Sequence, residues 1–122
     1  KKAERALHYG DLMLNAFEET GEAFFLMLAR SFLGRMENDL FYRGGTDEEV
    51  IAVMDKNLCV TKKTEDMRMK NEALNRAFDR YGEAKSANFF KYNLDYRANA
   101  KGGRRAELLK NSEYRSVLDK YR

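Results

Sequence analysis

The chain has 122 residues, 23 Lys/Arg against 20 Asp/Glu for a net charge of +3, 43% apolar residues and no proline. That length suits one domain, residues 1–122, with a modest core and excludes two, while its longest apolar run, Ala23–Ala29, falls far short of the ~20 residues that cross a bilayer. The charge is unevenly divided: residues 1–60 carry 7 Lys/Arg and 11 Asp/Glu with 17 of the 26 Leu, Ile, Val and Phe, whereas residues 61–122 carry 16 and 9, five of the seven tyrosines and nine of those apolar residues.

An acidic half able to build a core is thus followed by a basic, Tyr-rich half that must fold against something else, either its own first half or a partner. Only Ile51, four Val and four Thr are β-branched, and Ala, Leu, Glu, Lys, Arg and Met abound, which predicts an all-α fold. Cys59 is the only cysteine, so an intrachain disulfide and a Cys-based metal cluster are excluded, and a lone thiol fits a reducing compartment. The sequence has no secretory h-region, and it opens at Lys1 within a helical pattern, so a processed or trimmed N-terminus is expected.

Leu7, Leu14, Phe17, Phe24, Leu28, Phe32, Met36 and Leu40 recur at helical spacing. Thr20-Gly21 interrupts them as an N-cap and a poor interior residue, which predicts helices over 3–19 and 21–42. The second is apolar on all sides at Ala23–Ala29 and is expected at the centre of the fold. Gly44-Gly45 breaks the chain, and Thr46-Asp47-Glu48-Glu49 has the form of a capping box opening a third helix over about 47–57. Cys59-Val60-Thr61 is expected to be a connector. A fourth helix over 64–99 follows, with Met67, Leu74, Phe78, Tyr81, Phe89, Tyr92 and Tyr96 on one stripe. Unbroken, it would be about 54 Å long, against roughly 35 Å for a compact chain of this size, so it must bend at Gly82 or project. Lys101–Arg105 ends it, and a last helix over about 104–120 carries Leu108, Leu109, Tyr114, Val117, Leu118 and Tyr121.

Candidate chemistry is sparse. His8, Asp11, Asn15, Glu18 or Glu19, and Glu22 share one helical face, the raw material of a metal site. With no second His and no Glu-x-x-His pair, the face reads as solvated, and no metal or cofactor is expected. Cys59 could be a nucleophile under the influence of Lys62 and Lys63, but between Leu58 and Val60 it reads as a small buried hydrophobe. No catalytic group is assigned. Glu49–Leu74 loosely imitates a helix-turn-helix, and the basic half carries cations beside tyrosines.

The expected fold is an all-α bundle of four to five helices with a long fourth helix, the acidic and basic halves attracting each other. The expected function is a non-catalytic interaction module, a subunit or adaptor that meets a protein partner or a second copy through Phe78, Tyr81, Phe89, Tyr92 and Tyr96, since aromatics and Arg dominate interface centres. The alternative is nucleic-acid binding through Lys62, Lys63, Arg68, Lys101, Arg104 and Arg105.

Overall fold

The computed structural model describes residues 2–80 and 89–122, which are all-α with no strand among them. Among the described residues seven helices take the place of the expected four to five: α1 (Lys2–Thr20), α2 (Ala23–Tyr42), α3 (Asp47–Lys70), α4 (Glu72–Arg80), α5 (Phe89–Ala98), α6 (Gly103–Leu108) and α7 (Ser112–Tyr121). Tyr81 and the bend expected at Gly82 lie outside the described residues.

The first two breaks fall where the sequence places them. Gly21 takes a left-handed φ of +71° and donates its N–H to Phe17 O at 2.7 Å, closing α1 as glycine does best. Thr20 is therefore the last residue of α1, with its hydroxyl on Ala16 O at 2.7 Å, rather than a cap on α2. The capping box is present: Glu49 N–H donates to Thr46 Oγ1 at 3.2 Å, and Thr46 N–H to Glu49 Oε1 at 2.9 Å.

The third helix does not stop at 57. It runs on through the expected connector to Lys70, because Leu58, Val60, Thr61 and Thr64 all turn inward and are buried. The two threonines remain helical by hydrogen-bonding the carbonyl four residues back, Thr61 to Asn57 and Thr64 to Val60, each at 2.8 Å. This continuity removes the helix-turn-helix, whose turn would lie in the middle of α3. It also makes α3 the hub: it packs against α1, α2, α4, α5 and α7, so α2 shares the centre rather than holding it.

The single helix expected over 64–99 is broken instead at Asn71, in extended conformation with ψ 105°. Its N–H closes α3 on Met67 O at 2.9 Å, while its side chain accepts Leu74 N–H at 3.1 Å and so caps α4. Asn111 does the same further on, accepting from Glu113 and Tyr114 at 2.9 and 3.3 Å, and divides the expected last helix into α6 and α7.

One apolar cluster draws buried residues from all seven helices, from Ala3 and Ala6 on α1 to Leu108 on α6 and Val117 and Leu118 on α7. Across it the two halves are joined by ion pairs of the expected polarity, acid from the first and base from the second: Glu18–Lys63 at 2.8 Å, Glu37–Arg97 at 2.7 Å, Asp47–Arg104 at 3.0 Å and Asp55–Lys120 at 2.8 Å.

Candidate functional site

Glu37 sits in the buried stripe of α2 between Leu33 and Leu40–Phe41, and Arg97 in that of α5 beside Leu94. Their side chains are only 5% and 7% exposed, and buried charges of this kind survive only when paired and hydrogen-bonded. Arg97 grips the carboxylate with two bonds, Nε to Oε2 at 2.9 Å and Nη2 to Oε1 at 2.7 Å, the fork geometry that makes such pairs strong. Asn57 of α3 adds an N–H to Oε1 at 2.9 Å, and Arg97 Nη1 donates to the backbone and side-chain oxygens of Asn93 at 2.8 and 3.2 Å. Three helices are locked by one carboxylate.

A second polar layer lies next to it. Tyr114 of α7 donates its hydroxyl to Arg97 O at 2.9 Å and accepts from Arg105 Nη1 at 3.2 Å. Burial pushes the Tyr114 phenol pKa up, and the bond from Arg105 works against that rise. The Arg105 guanidinium is clamped between two rings, 4.3 Å from the centroid of Phe41 and 4.8 Å from that of Tyr96, a geometry in which cation–π attraction is appreciable. Arg104 is spent on the fold. It donates to the last carbonyls of α2, Leu40 and Phe41 (3.2 and 2.7 Å), to Gly45 O (2.6 Å) and to Asp47 Oδ1 (3.0 Å), a cation set where the helix dipole favours one.

Above these layers the surface opens into a cleft of about 380 Å³ between the end of α2, the end of α5 and the start of α6, lined among others by Phe41, Tyr42, Tyr96 and Arg105. It continues into a recess of about 220 Å³ that shares those four residues and reaches Gly34, Asn38 and the Glu37–Arg97 pair. Two of its lining aromatics are largely in solvent, Tyr42 at 66% exposed and Tyr96 at 51%, and Tyr92, one turn before Tyr96 on α5, is 68% exposed. Tyr42 packs edge-on against Phe41, centroids 4.7 Å apart.

The aromatic ladder expected on one helix is thus distributed over two. Tyr92 and Tyr96 remain on the surface, Phe89 is half-buried beneath the Arg30 guanidinium at 4.7 Å, and Tyr81 is outside the described residues. Phe78 cannot meet a partner: it is fully buried on α4, with Arg68 over its ring at 5.5 Å. The break at Asn71 gives α4 its own inward face, on which Phe78 follows Leu74.

The candidate cations are not brought together either. Lys62 pairs with Asp66 and lies over Phe90, Lys63 pairs with Glu18, and Arg68 pairs with Asp79. These three stand on α3 some 15 or more residues from Asp47, the α3 residue that Arg104 holds, hence at least about 22 Å along the helix. Lys101 is exposed near the cleft. On α1, Asp11 and Glu18 are engaged by Lys56 and Lys63 at 2.6 and 2.8 Å, and no group of three His, Cys, Asp or Glu among the described residues is placed to hold a metal. Cys59 is exposed rather than buried, since α3 turns its neighbours Leu58 and Val60 inward.

Glu37, Asn57 and Tyr42 escaped the sequence reading, and Arg97 entered it only as one cation of the basic tail. Glu37 alone left a signal, a carboxylate at the helical spacing of an otherwise apolar stripe. Comparison with models of known protein families, with characterised proteins and with solved structures finds no match.

Proposed function

We propose that the chain is a non-catalytic interaction module that seats a protein partner on the cleft between the end of α2 and α5–α6. One observation carries this reading: Tyr42 and Tyr96 stand exposed on the walls of a cleft and recess whose floor is rigidified by the Glu37–Arg97 pair, with exposed Tyr92 one turn from Tyr96 on α5. Tyr offers a large amphipathic contact at low entropic cost, and a fixed floor lowers the cost of ordering on binding. Nucleic-acid binding through the basic half has less support, because Arg104, Lys62, Lys63 and Arg68 already serve internal partners and lie on separate parts of the molecule.

The test is photo-crosslinking in cells that express the chain, with a benzophenone amino acid in place of Tyr42 or Tyr96 and, as control, of the exposed His8 on α1. A discrete protein adduct from positions 42 and 96 and none from position 8 is expected. Adducts of equal yield from all three, or adducts that nuclease removes, would end the proposal.

A further inference from the structure

Building on that reading, we infer that the partner meets the cleft with an acidic segment, a carboxylate of which binds Arg105 while a neighbouring apolar side chain enters the recess. The argument begins with what Arg105 lacks. Its guanidinium has five N–H donors. Among the described residues it makes one hydrogen bond, to the neutral Tyr114 hydroxyl, and no ion pair. It is nonetheless half-buried between Phe41 and Tyr96, where water screens a charge less than at the open surface.

The surroundings have the same sign. Arg35 is exposed on the face of α2 that also carries Asn38, which lines the recess, and Tyr42, which lines both recess and cleft. Lys101 is exposed on the other side, in the turn before α6. Of the nearby carboxylates, Asp39 is held by Lys2 and Arg43 at 2.7 and 3.5 Å and Asp47 by Arg104, while Asp95, exposed one residue before Tyr96, sets a single negative charge against Arg35, Lys101 and Arg105. Glu37 is covered by Arg97. A net positive rim around an aromatic recess selects an anionic segment with an apolar neighbour, and charge complementarity of this kind sets specificity and on-rate.

The scale of the cleft favours a protein chain over a nucleic acid. About 380 Å³ accepts a side chain or two, whereas a strand of nucleic acid is held by a track of cations that neutralises successive phosphates. Here one face of Tyr96 is already occupied by Arg105, and the cations at the far end of α3 are paired.

The experiment pans a random-peptide library against the immobilised full chain, with Tyr42→Ala/Tyr96→Ala, Lys101→Glu and Arg105→Gln in parallel. Each variant is first checked for folding by circular dichroism, and Gln at 105 retains a donor for Tyr114. Enriched peptides are expected to carry Asp or Glu beside Phe, Leu or Trp and to lose affinity about tenfold or more on Arg105→Gln. They should weaken less on Lys101→Glu and fail on the double tyrosine variant. Peptides that need the two tyrosines but carry no acid, or bind Arg105→Gln as well as the parent, overturn the acidic segment and leave the partner surface standing. An absence of tyrosine-dependent peptides, or their displacement by a short oligothymidine, overturns both. A dimer in sedimentation velocity that Tyr42→Ala dissolves replaces the acidic segment with a second copy of the chain.

Discussion

Helices α1, α2 and α3 run 19, 20 and 24 residues and interlock through apolar side chains such as Leu26, Leu33, Val53, Met54 and Leu58, whereas α4, α5, α6 and α7 run 9, 10, 6 and 10. A helix shorter than about 12–15 residues is marginal in water without a surface to pack on. The short helices contribute to the core too, Tyr114 and Phe78 being the bulkiest fully buried side chains among the described residues, but directional polar bonds fix where they sit: Arg97 to Glu37, Arg104 to the end of α2, Phe90 N–H to Glu65, and Lys120 and Tyr121 to Asp55. Burial of apolar surface drives folding but is non-directional. Hydrogen bonds contribute less net energy but specify position. The difference between the regions teaches that the long helices bury the larger part of the apolar core, while pairs of opposite charge fix where the short helices sit on it.

The sharpest way to break this contrast is Arg97→Leu. It leaves Glu37 buried without its cation, a defect that costs about 3–5 kcal/mol, measurable by urea unfolding. Replacing both residues with Leu should recover most of that loss, because the uncompensated charge disappears with the pair. Hydrogen exchange in Arg97→Leu is expected to accelerate in α5 and α7 well before α2 and α3. Uniform acceleration would show that the two regions are energetically one.

Arg104→Ala comes next, at about 2 kcal/mol, since it deprives the carbonyls of Leu40, Phe41 and Gly45, and Asp47, of a charged donor. By contrast Lys120→Ala, whose pair with Asp55 is half in solvent, should change stability by at most about 0.5 kcal/mol. A reversed order for these two would mean that α6 is not fixed to the end of α2 in solution.

Asn71→Ala and Asn111→Ala should each cost about 1 kcal/mol by removing a cap. Tyr121→Phe belongs to the same range at neutral pH, through its bond to Asp55 at 2.8 Å, but differs at alkaline pH. Burial first, and Asp55 second, push the Tyr121 phenol pKa far up, while in the unfolded chain it ionises near ~10. The stability tied to that group is therefore intact below about pH 10 and falls as the pH rises towards the folded value. Thermal midpoints measured from neutral to alkaline pH should decline more steeply in the parent than in Tyr121→Phe.

The two asparagines also explain what the sequence reading could and could not recover. Breaks signalled by glycine, at Gly21 and Gly44–Gly45, were legible because backbone freedom is a local property. Those at Asn71 and Asn111 were missed because Asn is merely permissive. Only its position before an acidic first turn, Asn71-Glu72 and Asn111-Ser112-Glu113, distinguishes a cap from a surface residue. The continuation of α3 through Cys59-Val60-Thr61 was illegible for a different reason: tertiary burial overrides the weak helix propensity of β-branched residues, and α3 provides that burial by packing on five helices. The all-α class and the attraction between halves were legible from composition and charge. The cleft was not, since it is made by Tyr42 and Tyr96, 54 positions apart in the chain.

The smallest expected effect falls on that cleft and on Tyr92, one turn from Tyr96 on α5. Tyr42→Ser and Tyr92→Ser remove large side chains that are mostly in solvent, so each should alter folding stability by no more than about 0.5 kcal/mol. Phe78, drawn from the same predicted ladder but buried, has no such latitude, because its truncation would open a cavity. Aromatic rings grouped on one exposed face have the composition of an interface centre, so on the proposed reading their removal is felt in partner binding and not in the fold. The measurement pairs thermal unfolding of Tyr42→Ser and Tyr92→Ser with the crosslinking yield at position 96. Unchanged midpoints with a reduced yield would separate the work of the surface from the work of the core. If instead Tyr42→Ser destabilised the chain as much as Arg104→Ala, the tyrosines would be part of the packing that holds α6 to α2, and the cleft would lose its claim to a partner.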